Sequence, residues 1–256
     1  MKDFYVKKVF VISFLLATTG PATSQVIFEE HFNGNSLNMK NWNYEEGNGC
    51  PDLCGWGNNE RQFYSRDYVA VKDGNLVITA DKKGDQYFSG KINTKDKIEF
   101  QYGIIEFRAK LAKGQGVWPA IWMLGSNINE VGWPKSGEID LMEYVGREPH
   151  YVFHALHTPA SHGETENVKK TYLENIETGF HTYKAIWTDK NIQFFIDGNL
   201  TYTFVPAKYD KEHYPFRHPF YLLVNMAIGG NFGGPEVDDS IFPVNFYVDY
   251  IKVSEL

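Results

Sequence analysis

The chain has 256 residues, 43% of them hydrophobic, which is enough apolar material for one sizeable core. Its net charge is -7 and its 25 Lys and Arg residues gather into no stripe, so the electrostatic footprint of a nucleic-acid binder is missing and polyanionic partners are disfavoured. Length alone permits two small domains, but one domain over residues 25–256 is the starting expectation.

The N-terminal segment stands apart. Lys2, Lys7 and Lys8 precede the apolar run VFVISFLLA, and the small-residue stretch TTGPATSQ follows. This is the pattern of a secretory signal peptide over residues 1–24, cut after Ser24 with Ala22 three positions before the cut. The rival reading, a membrane anchor, needs about 20 apolar residues, and the run is well short of that. No Cys sits at the cut to take a lipid, and nothing downstream is long and apolar enough to span a bilayer. The mature protein is expected to be soluble, either secreted or periplasmic, with a monomer as the default state.

Next comes GNGCPDLCGWGNNE, which holds both cysteines, Cys50 and Cys54. Two cysteines in an exported chain suggest a disulfide that fixes the shape of a short loop; a metal site is the alternative and would want more ligands nearby. From there the chain repeats short runs of β-branched and aromatic residues broken by Gly, Asn and Asp, as in YVAVKDGNLVITADKK and KAIWTDKNIQFFIDGNLTYTF. The pairs Asp73-Gly74 and Asp197-Gly198 mark hairpin turns. No long stretch outside the leader keeps apolar residues at helical spacing, so the expected fold is all-β, two stacked antiparallel sheets. Aromatic residues make up 16% of the chain, more than the core obviously needs, and some of them should stack on a ligand.

In WPAIWML, Trp118 and Trp122 are four apart and share a strand face, so both line a cleft or both are buried. Trp118 is assigned to the cleft and Trp122 is left open. The following strand, GEIDLMEYVG, puts three carboxylates into six residues with nothing basic beside them. Alternation sets Glu138 and Asp140 on one face, but Glu143 is five positions from Glu138 and would point into the core. An unpaired buried carboxylate costs several kcal/mol, on the order of 2–7 even for a neutral polar group. A β-bulge near Leu141 and Met142 avoids this by returning Glu143 to the face of the other two acids.

Three acids on one face repel one another, and glycoside hydrolysis gives a reason to accept it. A retaining glycosidase needs one ionised carboxylate and one protonated carboxyl about 5 to 5.5 Å apart. A third acid, Asp140, can hydrogen-bond Glu138, fix its rotamer and help keep one group protonated. A solvated acidic face or a calcium site of oxygen ligands are the alternatives. On the next strand, YVFHALHT, His154 and His157 face opposite ways; a lone His is usually structural, and His157 is the one chosen to tune or orient the general acid.

GEIDLME, preceded by GVWPAIWMLG and a further WP, resembles the bulged signature of glycoside hydrolase family 16, particularly its laminarinase-type endo-β-1,3-glucanases. EEHFNGNSLNMKNW, GWGNNERQFYS, VKDGNLVITA, FSGKINTKDK, YGIIEFRAKL, FHTYKAIWTDKNIQFFIDG, LLVNMAIGGNFGG and VDYIKVSEL resemble further blocks in the same order, so the resemblance covers essentially the whole mature chain. It implies a two-sheet antiparallel β-jelly-roll sandwich of the concanavalin-like kind with a concave substrate cleft. It makes Glu138 the nucleophile, Glu143 the general acid/base and Asp140 their assisting acid, with no cofactor for the chemistry. It sets Trp118 and Trp133 beside the cleavage point and Asn225 in the cleft, and it makes Asn48 and the GWGNNE loop a rim at the glycone side. Lys91 stands where many relatives carry Arg, so a bidentate grip on sugar hydroxyls is weakened there. The resemblance also implies a structural calcium on the convex side, with Gly74 through its carbonyl and Asp249 as ligands and Glu30 as a third.

The expected partner is therefore a β-glucan, cut at internal β-1,3 linkages as in laminarin, with mixed-linkage β-1,3-1,4-glucan as a further candidate. An agarase- or carrageenase-like galactan hydrolase is the rival within enzymes, and a non-catalytic β-glucan-binding lectin is the rival of another class. A lectin has no use for three unpaired acids on one face.

Overall fold

The computed structural model describes residues 24–256. Nearly all of the expected signal peptide thus lies outside the described residues. The remainder folds as the strand pattern predicts. Where one face of a strand is covered, alternate residues are buried: along Gly103–Lys110 the core takes Ile105, Phe107 and Ala109, and along Asn75–Lys83 it takes Leu76, Ile78 and Ala80. Both expected hairpin turns form, and both use positive φ at their two central residues. The angles are 53° and 72° at Asp73-Gly74 and 48° and 78° at Asp197-Gly198, the backbone that tight two-residue turns demand.

The strands assemble into two sheets. The eight-stranded sheet runs, in spatial order, Val168–Tyr172, Tyr151–His157, Glu138–Glu143, Val117–Gly125, Phe220–Ile228, Lys91–Asn93 and Asn43–Tyr44, with Glu99–Phe100 also on Phe220–Ile228. The ten-stranded sheet is built around Gly103–Lys110 and Val244–Ser254. Pairing is antiparallel throughout except at one edge, where Gln62–Tyr64 runs parallel to Gln86–Ser89. A continuous cluster of buried side chains fills the space between the sheets, including Phe107, Val248 and Ile251 from one and Ile121, Met123, Ile139 and Val224 from the other.

The central strand of the eight-stranded sheet, Phe220–Ile228, is buried along its whole length. One face meets the core, and the other carries Asn225 toward the residues described next. No helix of the described residues is long and apolar enough to cross a membrane.

Candidate active site

The strand Glu138–Glu143 carries the bulge that its acid spacing predicts. Against Val117–Gly125, Asp140 faces Trp122 and Met142 faces Ile121, which leaves Leu141 without an opposite residue. Against Tyr151–His157, Asp140 faces Ala155 and Glu143 faces Phe153. The extra residue changes the phase of the strand. Leu141 and Met142 both enter the core cluster, and Glu138, Asp140 and Glu143 all turn to the open face. In a regular strand Met142 would lose the ~1.5–3 kcal/mol that burial contributes, and Glu143 would be pushed among apolar side chains.

Two indoles and one imidazole complete the cluster. Trp118 Nε1 donates to Glu143 Oε1 at 2.9 Å, and Trp133 Nε1 donates to Glu138 Oε2 at 2.9 Å. His157 pairs in register with Glu138, and its Nε2 lies 3.2 Å from Asp140 Oδ2 and 3.7 Å from Glu138 Oε1. The expected hydrogen bond from Asp140 to Glu138 is replaced by this arrangement, because an imidazolium between two carboxylates relieves a repulsion that a direct contact would worsen. Trp133 is the open side of the site, 46% exposed, and its ring packs near His157 and edge-on against His162.

Burial and mutual charge set the protonation states. Burial, followed by the negative charge of Asp140, pushes the Glu138 carboxyl up to about 7, against the opposing pull of His157 and the Trp133 N–H. The same two causes hold Glu143 well above the ordinary carboxylate range. Burial alone would lower His157, but contact with Asp140 and the charges of Glu138, Asp140 and Glu143 carry it up to about 9. Near neutral pH the site therefore holds a charged His157 beside a Glu138 close to its titration point, with the protonated form of Glu143 favoured.

Beyond these groups a hydrogen-bonded chain crosses the open face. Trp122, left open by the sequence, lies on the same face as Trp118 and donates from Nε1 to Asn225 Oδ1 at 2.7 Å. Asn225 Nδ2 donates to Tyr64 at 2.9 Å, and the Tyr64 hydroxyl donates to Glu60 Oε2 at 3.1 Å. Lys91 is buried, ion-paired to Glu45 at 2.9 Å, with its ammonium 4.1 Å from the Trp56 ring centroid and 5.4 Å from that of Trp122. Its charge is thus held by a carboxylate and aromatic faces, not presented as a fork. The sequence did not single out Glu45, Trp56, Glu60, Tyr64 or Phe232, whose ring meets Trp118 edge-on. The GWGNNERQFYS block was the available signal for three of them, Trp56, Glu60 and Tyr64.

Cys50 and Cys54 are joined in a disulfide, so the alternative of a metal site on the cysteines falls away. Asn48 shapes that loop: its Oδ1 accepts from the Cys50 amide at 3.2 Å, and its carbonyl accepts from Gly55 N at 2.8 Å. The loop is then tied to the turn after Phe220–Ile228, through Asn59 Nδ2 to Asn231 Oδ1 at 2.8 Å and Asn231 N to the Asn58 carbonyl at 2.7 Å. The residues expected to hold calcium belong to the other sheet and its turns. Glu30 and Asp249 lie on the paired strands Val26–Glu30 and Val244–Ser254, and Gly74 lies in the Asp73-Gly74 turn. They offer oxygen donors only, the class a hard cation takes. One Asp249 oxygen is bound by Arg108 at 2.5 Å and one Glu30 oxygen by the Phe32 amide at 3.1 Å, which leaves the second oxygen of each and the Gly74 carbonyl as donors.

A β-sandwich whose open face gathers three carboxylates under tryptophan indoles is built for cutting a glycosidic bond. Residues 57–252 match the sequence profile of the glycosyl hydrolases family 16. The chain is 39% identical over 263 residues to the glucan endo-1,3-beta-glucosidase A1 of Niallia circulans, a match that covers 92% of this chain and only 39% of that longer protein. Among solved structures it superposes on the laminarinase from Flavobacterium sp. UMI-01 with a TM-score of 0.88 and 58% identity, over 90% of this chain and 100% of that one. It superposes on a non-specific endo-beta-1,3(4)-glucanase of family GH16 with a TM-score of 0.82 and 36% identity, over 91% of each chain. The chain belongs to glycoside hydrolase family 16.

His157 gives a test of the electrostatics that needs no substrate. Its folded-state pKa, about 9, is above its ordinary 6.5, so its ionic contribution to stability is complete below 6.5 and is lost as pH rises through 9. The gap in melting temperature between wild type and His157→Gln is expected to be larger at pH 6 than at pH 9.5. A gap that stays equal across that range would show the imidazole to be uncharged.

Proposed function

We propose that this chain is a laminarinase-type endo-β-1,3-glucanase, a retaining glycoside hydrolase that cuts internal linkages of β-glucan. The observation that carries it is the bulge that brings Glu138, Asp140 and Glu143 to one face beneath the indoles of Trp118 and Trp133. Indole faces stack on the apolar faces of glucose rings, and no cofactor is needed for the hydrolysis. The ammonium of Lys91 is already paired with Glu45, which favours a neutral glucan over a sulfated galactan. Mixed-linkage β-1,3-1,4-glucan is a second substrate, supported by the likeness to a non-specific endo-beta-1,3(4)-glucanase.

In the first step Glu138 attacks the anomeric carbon while Glu143 gives its proton to the leaving glycosidic oxygen, so one C–O bond forms as the other breaks. Glu143, now ionised, takes a proton from water, the water oxygen attacks the anomeric carbon, and Glu138 leaves with the configuration retained. The placement of His157 supports this division. Burial and the Asp140 charge hold Glu143 well above the usual range, so it enters as the acid, and the same causes push Glu138 up to about 7, where the His157 imidazole 3.7 Å away draws it toward its anion.

Asn48 and the stapled GWGNNE loop form the rim of the cleft, and Asn225 and Lys91 line its floor with Trp122. The leader over residues 1–24 directs export, and residues 25–256 act as one catalytic sandwich, working as a monomer outside the cytoplasm. A structural calcium is held by Glu30, the Gly74 carbonyl and Asp249, away from the chemistry.

Mature protein incubated with laminarin, barley mixed-linkage glucan and agarose should release reducing ends from laminarin, and Glu138→Gln should lose at least about a thousandfold in kcat. Retention on a glucan column without any release would instead identify a lectin, and release from agarose alone a galactanase. Asp140→Asn removes a charge that raises both glutamates, so both limbs of the pH–kcat/KM profile should move to lower pH, and limbs left in place would contradict its assigned role. Chelation with EDTA should lower the melting temperature, and added calcium should restore it, with kcat at low temperature unaffected; a melting temperature indifferent to both would remove the metal from the account.

A further inference from the structure

His154 is fully buried in the strand Tyr151–His157 and takes no part in the chemistry above. Its neighbours Ala155 and Phe153 pair with Asp140 and Glu143. His154 therefore faces the two residues Leu141 and Met142 by itself, the two-against-one count of a bulge. Its side chain returns to that same bulge, with Nδ1 2.8 Å from the Leu141 carbonyl oxygen. On the far side Nε2 meets Thr201 Oγ1 at 3.0 Å, on the strand Asn199–Phe204 of the other sheet. The ring between them stacks on Phe194, with centroids 4.7 Å apart and planes 22° apart.

The roles of the two nitrogens follow from the partners. A carbonyl only accepts, so Nδ1 carries the hydrogen, and Nε2 of a neutral ring can only accept from the Thr201 hydroxyl, whose single hydrogen is shared with the Phe194 carbonyl oxygen, also 3.0 Å away. Burial holds the imidazole down at about 4, which keeps the ring neutral at working pH. His154 is thus a rigid spacer with a fixed tautomer, running from the bulge carbonyl through the core to the opposite sheet.

We infer that His154 is a positioning residue for the hydrolysis: its bond to the Leu141 carbonyl, braced by Thr201 and Phe194, holds the bulge in the register that keeps Glu143 in the cleft. The inference rests on the reading of Glu138 and Glu143 as the catalytic pair. Register on a strand is a matter of one residue, and a slip of one turns every following side chain to the other face. Glu143 lies two positions beyond the extra residue Leu141, on the side whose phase the bulge sets, so a loosened bulge moves the general acid before it moves Glu138.

Three variants test this: His154→Leu, which removes the donor; His154→Asn, which returns an N–H toward the same carbonyl; and Thr201→Val, which removes the brace and leaves the bulge contact. The kcat and KM on laminarin, melting temperatures and the crystallographic register of each variant are to be measured. For His154→Leu kcat should fall by about 10- to 100-fold with KM within about twofold, because a displaced catalytic group weakens the transition state more than the ground state. His154→Asn should recover kcat to within about fivefold of wild type, and Thr201→Val should fall between the two. Lower melting temperatures with wild-type kcat in all three variants would overturn the inference, leaving His154 as a stability residue. Should His154→Leu fail to fold, wild-type kcat in Thr201→Val overturns it as well, and a reduced kcat at unchanged KM upholds it. If wild-type protein releases nothing from laminarin, the proposed activity fails on its own account. The register then decides: a bulge displaced in His154→Leu and kept in His154→Asn upholds the positioning role, and a bulge kept in both overturns it.

Discussion

The site depends on one residue too many in the strand Glu138–Glu143. A strand of regular pleat has two faces and no others, so three acids spaced two and then three apart cannot share one of them. With Leu141 inserted, the core receives Leu141 and Met142 in succession and the open face receives Glu143. The apolar burial on one side and the escape of a carboxylate on the other favour the same register, which is why a locally irregular strand can be the stable one. Other features of the open face are arranged around that phase change. Trp118 reaches Glu143 from the strand on one side, and His157 reaches Glu138 and Asp140 from the strand on the other.

Crowding three carboxylates also creates the chemical asymmetry the reaction needs. Identical acids in identical surroundings would titrate together. Here burial and the Asp140 charge raise both glutamates and an indole N–H lowers each, and what sets Glu138 apart is His157, paired with it in register at 3.7 Å, which favours the anion there. Such a cluster is costly to stability, and the two-sheet core beneath it, with its continuous apolar packing, offsets that cost.

The open face is made rigid by contacts between residues far apart in the chain. Glu60, Tyr64, Asn225 and Trp122 form one hydrogen-bonded path from the disulfide-closed loop to the strand beside Asp140. Lys91, Glu45 and Trp56 form a second fixed unit next to it. A cleft floored this way presents indole faces at set positions, which suits a ligand of repeating, stiff sugar rings.

Much of this could be read directly from the sequence, because it is encoded in local pattern. Period-two alternation gave the sheets, Asp-Gly pairs gave the hairpins, and an odd spacing between Glu138 and Glu143 gave the bulge, since the pleat has only two faces to offer. Cys50 and Cys54 were legible as a pair because no other cysteine exists. What the sequence by itself could not supply was the identity of partners across the sheets and loops. The placement of His157 between Asp140 and Glu138, the engagement of Lys91 by Glu45, the path through Asn225 and the reach of His154 from the bulge to Thr201 each join segments tens of residues apart or meet across a strand register. Side chains choose such partners by proximity and by the desolvation they share, and only the folded arrangement fixes those.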